Sequence, residues 1–160
     1  MEVGPAPADD LRPPLRLLEA ELREGEPLPE EIVRSLADAV RAGEADVITA
    51  RAARETSETG SDAVLGTALL YYRLNLSSGG RFASFEELHV APGSRGRGVG
   101  RALLAEVERR CSEKGISYIE AQIIAESVEF FFYMGYESEP DLKVLSRSIA
   151  FGGYQAEEDI

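Results

Sequence analysis

Two features within residues 81–101 have the types and spacing to do chemistry. Glycines alternate with arginines and valine in the run Arg95, Gly96, Arg97, Gly98, Val99, Gly100 and Arg101. Just before it stand two consecutive carboxylates, Glu86 and Glu87, and the chain's one histidine, His89. The glycines permit unusual backbone angles and let a ligand approach without a Cβ in the way. Where such a run opens a helix, the free N–H groups of the first turn and the helix dipole favour an anion. Residues 95–100 are therefore predicted to grip a phosphate-bearing ligand. For the arginines taken alone, the competing reading is a solvated helix start.

Two familiar phosphate loops do not fit. A Walker loop needs Gly-Lys followed by Ser or Thr, which is absent. The dinucleotide fingerprint needs Gly-x-Gly-x-x-Gly, whereas the glycines fall at 96, 98 and 100 and position 101 is arginine. Glu120 lies where a ribose-binding acid would, but inside an expected strand, and too little chain follows to build a second nucleotide half.

The elements that position this loop follow from periodicity and turn residues. Residues 2–5 read as a first strand. Asp9 or Asp10 offers an N-cap to a helix whose apolar stripe is Leu11, Leu15, Leu18 and Leu22. A second helix carries Ile32, Val33, Leu36, Ala37 and Val40, with Gly43 closing it. Strands are predicted over 46–53, 63–76 and 81–90, with polar turns at 55–62 and 77–80, which makes the middle of the chain an antiparallel meander. Pro92 blocks the last of these strands, and a helix follows over 98–114, with Val99, Leu103, Val107 and Cys111 on one stripe. Residues 116–124 are nearly continuously apolar, as in a strand buried on both faces. A short helix over 127–134 and a last pair of strands over 136–139 and 142–151 complete the order, and 152–160 reads as an acidic, frayed tail.

A chain of 160 residues with 44% hydrophobic and 29% charged residues is expected to form one soluble globular domain, here 1–151. Its net charge of −12 argues against a nucleic-acid partner. One cysteine cannot close an internal disulfide and, with one histidine, leaves little for a metal site. The start carries neither a basic n-region nor an apolar core, and no apolar stretch is long enough to span a bilayer, so the expected location is cytoplasmic with no membrane partner. Cys111 reads as a small core hydrophobe and residues 130–132 as aromatic core or pocket lining.

In its strand-turn-helix setting, Arg95-x-x-Gly98-x-Gly100 resembles the cofactor motif of the GNAT superfamily of N-acetyltransferases, which runs Arg or Gln, two residues, Gly, one residue, then Gly or Ala. The preceding Leu88, His89, Val90, Ala91 and Pro92 resemble that family's strand ending in Leu-x-Val-x-Pro. The order of elements is also similar, over roughly Glu2 to Phe151. The resemblance implies an α/β (α+β) fold with a mixed, mostly antiparallel central sheet flanked by helices. It implies acetyl-CoA as co-substrate, no metal, and a small-molecule or peptide amine as acceptor, with a homodimer left open. By the same resemblance the loop amides hold the pyrophosphate, and the strand end Leu88, His89 and Val90 pairs with the pantetheine arm. An amide there would polarise the thioester carbonyl.

Transfer to an amine by direct attack in a ternary complex requires the amine to be neutral, which gives Glu86 and Glu87 the role of candidate bases. Strand alternation would send them to opposite faces, with Glu86 sharing that of Leu88 and Val90. The competing reading is two carboxylates on an exposed stretch, and for His89 it is a packed or surface histidine. Many family members protonate the leaving thiolate with a tyrosine, in a pattern resembling Phe-Tyr-x-x-x-Gly-Phe. Aligned on Gly135 and Tyr136, Phe130 and Phe131 stand where Phe-Tyr would be, and Tyr133 lies about 200° further round a helix. That departure supports an alternative, a non-catalytic acyl-CoA-binding module. Glu19, Glu21, Glu24, Glu26, Glu30 and Glu31 cluster where the two first helices meet, a weak hint of a cationic acceptor.

Overall fold

The computed structural model describes residues 1–53 and 63–150, to which every structural statement below refers. Strands β1 (Glu2–Pro5), β2 (Ala45–Arg51), β3 (Val64–Asn75), β4 (Gly80–Val90) and β5 (Ile119–Ala121) form one sheet in that order. The first four pair antiparallel and β5 joins β4 in parallel, so the sheet is mixed and mostly antiparallel as expected. The β3–β4 hairpin closes on Asn75, whose side-chain oxygen accepts from the Ser77 backbone N–H at 3.2 Å and from its hydroxyl at 2.7 Å. Such short polar side chains supply turn hydrogen bonds that the backbone would otherwise lack. The predicted turn over 55–62 lies outside the described residues.

Helices α1 (Arg12–Arg23) and α2 (Glu30–Arg41) cover one face of the sheet, and α3 (Val99–Glu113) covers the other. On the first face Leu11, Leu15, Leu18, Leu36 and Ala37 bury against Val47, with Leu69 and Tyr71 partly buried beside them. The Thr67 hydroxyl fixes α1 by donating to the Pro14 carbonyl at 3.2 Å. On the second face Leu103, Leu104 and Val107 are fully buried. There Arg110 grips both oxygens of Asp46 at 3.1 and 3.2 Å, while the Tyr72 hydroxyl donates to the same carboxylate at 2.5 Å. Burial, then Asp46, pushes the Tyr72 phenol well above its usual range. Cys111 is buried on this face as a core residue, and burial pushes its thiol up to about 11.

Several expectations are corrected. The N-cap of α1 is Leu11, with no side-chain capping bond, rather than Asp9 or Asp10. Pro13 and Pro14 have no N–H to cap, which weakens the need for one. The strand expected over 116–124 shrinks to Ile119–Ala121, half-buried rather than covered on both faces. It is an edge strand that holds β4 only through the pairs Ala83↔Ile119, Ser84↔Glu120 and Phe85↔Ala121. The strands expected over 136–139 and 142–151 do not form among residues 136–150, where Leu142, Val144 and Leu145 are exposed. Apolar alternation makes a strand only when a ladder partner exists, and none is made there.

The chain divides into two compact units, Met1–Val128 and Glu129–Ile160. The second carries most of α4 (Val128–Tyr133) and the turn after it, where the Tyr136 N–H reaches the Phe131 carbonyl at 2.9 Å. Phe131 is buried, edge-on to Phe130 and Tyr136. No described helix is long and apolar enough to cross a membrane.

Candidate functional site

The glycine loop leaves β4 at Val90, makes a 3₁₀ turn over Pro92–Ser94 and enters α3 through Gly98. Gly96 and Gly98 have φ of 75° and 81°, in the left-handed region that favours glycine. A Cβ at either would meet nothing within 4 Å, so the backbone there is open to a ligand. No side chain caps α3, whose first-turn N–H groups are left for water or an anion. The rear of the loop is held by Ala91, whose N–H donates to the Leu65 carbonyl at 2.8 Å. Gly66 beside it allows α3 to close on β3. A Cβ at Gly66 would stand 2.8 Å from a Val99 methyl, 2.9 Å from a Leu103 methyl and 3.2 Å from the His89 carbonyl oxygen. Arg95 donates to the Val90 carbonyl at 3.3 Å and meets Glu21 of α1 at 3.4 Å. Arg97 and Arg101 are exposed, with no ion pair among the described residues.

Glu86 interrupts the β3–β4 ladder. Leu69 pairs with Glu87 and the next residue, Leu70, with Phe85, so Glu86 is the extra residue of a bulge. The bulge coincides with the end of the β4–β5 pairing at Phe85. From Glu86 to Val90 the outer edge of β4 therefore has no strand partner among the described residues, and apart from the Val90 carbonyl, which takes Arg95, that edge is open to an extended ligand.

The bulge also overturns the expectation that the two carboxylates face apart. Thr67, Leu69, Tyr71 and Arg73 alternate onto one face of β3, the face of α1. Glu86 takes Arg73 at 3.1 Å and the Ser84 hydroxyl at 2.9 Å, and Ser84 sits opposite Tyr71. Glu87 sits opposite Leu69 and meets the His89 Nε2 at 2.8 Å. Both carboxylates thus lie on the α1 side, whereas Leu88 and Val90, opposite Ala68 and Gly66, lie on the α3 side. A bulge places its two residues together in this way because they oppose a single residue of the partner strand.

On the α1 side a cavity of about 470 Å³ opens between α1, α2 and the sheet, with Glu87 and Tyr71 among its lining. Burial, then the Glu86 charge, raises the Tyr71 phenol, which stays protonated at neutral pH. Sequence reasoning passed over Tyr71 and Gly66. For Gly66 a signal existed, since a lone glycine within a strand marks a close backbone approach. The acidic cluster of the first two helices is largely engaged within the protein. The buried Glu19 accepts the Leu28 N–H, while Glu21 pairs with Arg95, Glu26 with Arg23 and Glu30 with Arg12.

The sequence profile of the acetyltransferase (GNAT) family matches residues 15–136, and the chain belongs to that family. Its general activity is therefore acetyl transfer. No curated protein matches the sequence. Among solved structures, a Trypanosoma brucei acetyltransferase is similar at 22% identity and a TM-score of 0.72, over 91% of this chain and 99% of that one. An aminoglycoside acetyltransferase from an uncultured soil metagenomic sample, in complex with sisomicin, is 16% identical with a TM-score of 0.74, over 93% and 96%. A predicted acetyltransferase with acetyl-CoA from Clostridium acetobutylicum is 16% identical with a TM-score of 0.70, over 91% and 95%. At such identities the likeness is one of fold.

Proposed function

We propose that residues 1–151 act as an acetyl-CoA-dependent N-acetyltransferase, moving the acetyl group to a primary amine by direct attack in a ternary complex, in the cytoplasm. The observation that carries this reading is the unpaired edge of β4 from Glu86 to Val90, lying between the open glycine loop and the cavity that holds Glu87. The fit to acetyl-CoA rests on the same features. Gly96 and Gly98 present backbone without side-chain obstruction, with Gly100 following in the first turn of α3, and Arg97 and Arg101, which make no ion pair among the described residues, are placed to meet phosphate. Leu88, His89 and Val90 offer a strand edge to the amide-bearing arm of the donor, which supplies the activated acetyl thioester. Arg95 orients the loop by tying the Val90 carbonyl to Glu21.

Glu87 takes the proton of the incoming ammonium, directly or through water, and so exposes the nitrogen lone pair. Glu86, held by Arg73 and Ser84, sets the negative field beside it. As the new C–N bond forms and the C–S bond breaks, an N–H of the β4 edge near Leu88–Val90 meets the charge growing on the carbonyl oxygen. The thiolate leaves and takes, through water, the second proton that the nitrogen sheds as the amide forms.

The test pairs binding with turnover. Acetyl-CoA at about 100 times its dissociation constant should stabilise the fold by roughly 2.7 kcal/mol, whereas NAD and ATP should do far less. Free CoA should then accumulate with a mixed library of amines. Equal stabilisation by all three ligands would overturn the donor assignment. Phe131, at the position where many relatives of this fold carry tyrosine, favours a second reading, a non-catalytic acyl-CoA-binding module. Binding without release of free CoA would decide for it.

A further inference from the structure

We infer that the acceptor is a primary amine carried on a single apolar body, an alkyl or arylalkyl amine, seated in the cavity between α1, α2 and β3 with its nitrogen at Glu87. The inference deepens the acetyltransferase reading and rests on it. At about 470 Å³ the cavity is in the size range of small-molecule sites. Its walls are Leu18, Leu28, Leu36 and Leu69, and Leu22 and Ile32 line it while remaining 52% and 49% exposed, forming its solvent-facing rim. The other polar side chains of the lining are already committed. Glu19 holds the Leu28 N–H, Arg23 is turned to Glu26 by two contacts, and the Ser35 hydroxyl donates to the Glu31 carbonyl.

Glu19 keeps its second oxygen but is only 6% exposed, against 33% for the Glu87 side chain, so Glu87 and the Tyr71 hydroxyl are the polar groups most open to a ligand. One charged end and one long apolar wall fit a molecule with one ammonium and one hydrocarbon body. A sugar or a polyamine would bring hydroxyls or further ammonium groups against leucines, where they would lose water and gain no partner. An acidic ligand would meet the Glu87 charge.

The experiment measures kcat/KM with acetyl-CoA for matched amines: butylamine, hexylamine, octylamine and 2-phenylethylamine against spermidine, glucosamine, kanamycin and a short lysine peptide. In parallel, calorimetry of the same amines with the CoA-bound protein reads binding independently of turnover. The expected result is a rise of roughly fourfold per added methylene until the cavity fills, and a preference of at least tenfold for the apolar series. Ile32→Glu and Leu22→Gln, both at the rim, should each reduce kcat/KM for hexylamine about tenfold or more and leave acetyl-CoA affinity unchanged. A flat chain-length series, or better use of spermidine, kanamycin or the peptide, would overturn the inference while leaving the acetyltransferase reading intact. Acetyl-CoA bound tightly with no affinity for any apolar amine would overturn it as well. Failure to bind acetyl-CoA would overturn the acetyltransferase reading, and this inference with it.

Discussion

Glu87 and His89 pair along one strand, Oε2 to Nε2 at 2.8 Å, on the face that looks toward α1. Side chains two apart on a strand share a face, and the bulge at Glu86 sets which face that is. The imidazole fixes one carboxylate oxygen and leaves the other for a ligand, which is the arrangement expected of an oriented base. Glu86 has its own oxygen committed to Arg73 and Ser84.

The first prediction follows from that asymmetry. Glu87→Gln should keep its affinity for acetyl-CoA and lose roughly a hundredfold in kcat at neutral pH. The loss should shrink as the pH approaches the acceptor's own pKa, about 10.4 for an alkylamine, because the nucleophile then arrives neutral. Glu86→Gln should lose less. A pH–rate series on both variants checks this, and equal activity of wild type and Glu87→Gln at pH 7 would remove Glu87 from the base role.

Gly66 predicts a coupling between strand packing and donor binding. In Gly66→Ala the new methyl falls under 3 Å from side chains of Val99 and Leu103, so these two residues must give way, Val99 being the first residue of α3. Stability should drop by about 1–3 kcal/mol, the usual cost of overpacking. Acetyl-CoA affinity should fall with it if, as proposed, the first turn of α3 meets the phosphates of the donor. Denaturant titration and calorimetry on one variant test both halves.

On the opposite face the Asp46–Arg110 pair should matter for stability and little for chemistry. Asp46 is buried, whereas Arg110 is partly exposed and keeps Glu113, so Asp46→Ala should cost about 1–3 kcal/mol, mainly through the Tyr72 hydroxyl and guanidinium hydrogen bonds it removes. Asp46→Asn, which keeps the shape and the Tyr72 contact, should cost less. A shift in midpoint worth under 1 kcal/mol for Asp46→Ala would show the network to be dispensable.

Cys111 carries a pH signature. Its thiol is raised from 9.0 to about 11 in the folded protein. Between those values the unfolded chain releases a proton that the folded chain keeps, so stability falls as pH rises. Well below pH 9 the thiol is protonated in both states and the effect vanishes. Thermal unfolding of wild type and Cys111→Ala at pH 8, 10 and 11 should show a steeper decline in the wild type. The native thiol should also resist alkylation at pH 8, since little of it is thiolate.

The loop and the order of elements were legible because each rests on local chemistry. Glycines at 96, 98 and 100 after Pro92 have few structural uses, and the leucine stripe of α1 has one period. The pair Glu86 and Glu87 was legible as a pair, but not its direction. A bulge is one unpaired residue fixed by cross-strand register, and here neither of its residues is a glycine that would betray it. The length of β5 was misread for a related reason. Residues 116–124 have the composition of a buried strand, yet pairing stops at Ala121, and how far a ladder runs depends on the partner strand. The segment after Gly135 failed on the same ground, since alternation records a preference for a sheet without supplying one.

On the proposed reading, the bulge makes the number of residues in β4, and not only their identity, a determinant of activity. Point substitution at Glu86 leaves the extra residue in place and the strand still bent. Deleting Glu86 would instead let Phe85 and Glu87 follow one another in regular register with Leu70 and Leu69, with Glu87 and His89 still toward α1. The edge from Glu87 onward would straighten toward β5, and the opening for the donor arm would narrow. A scan of single-residue deletions along 82–90 should therefore find a sharper loss at 86 than any alanine scan reports.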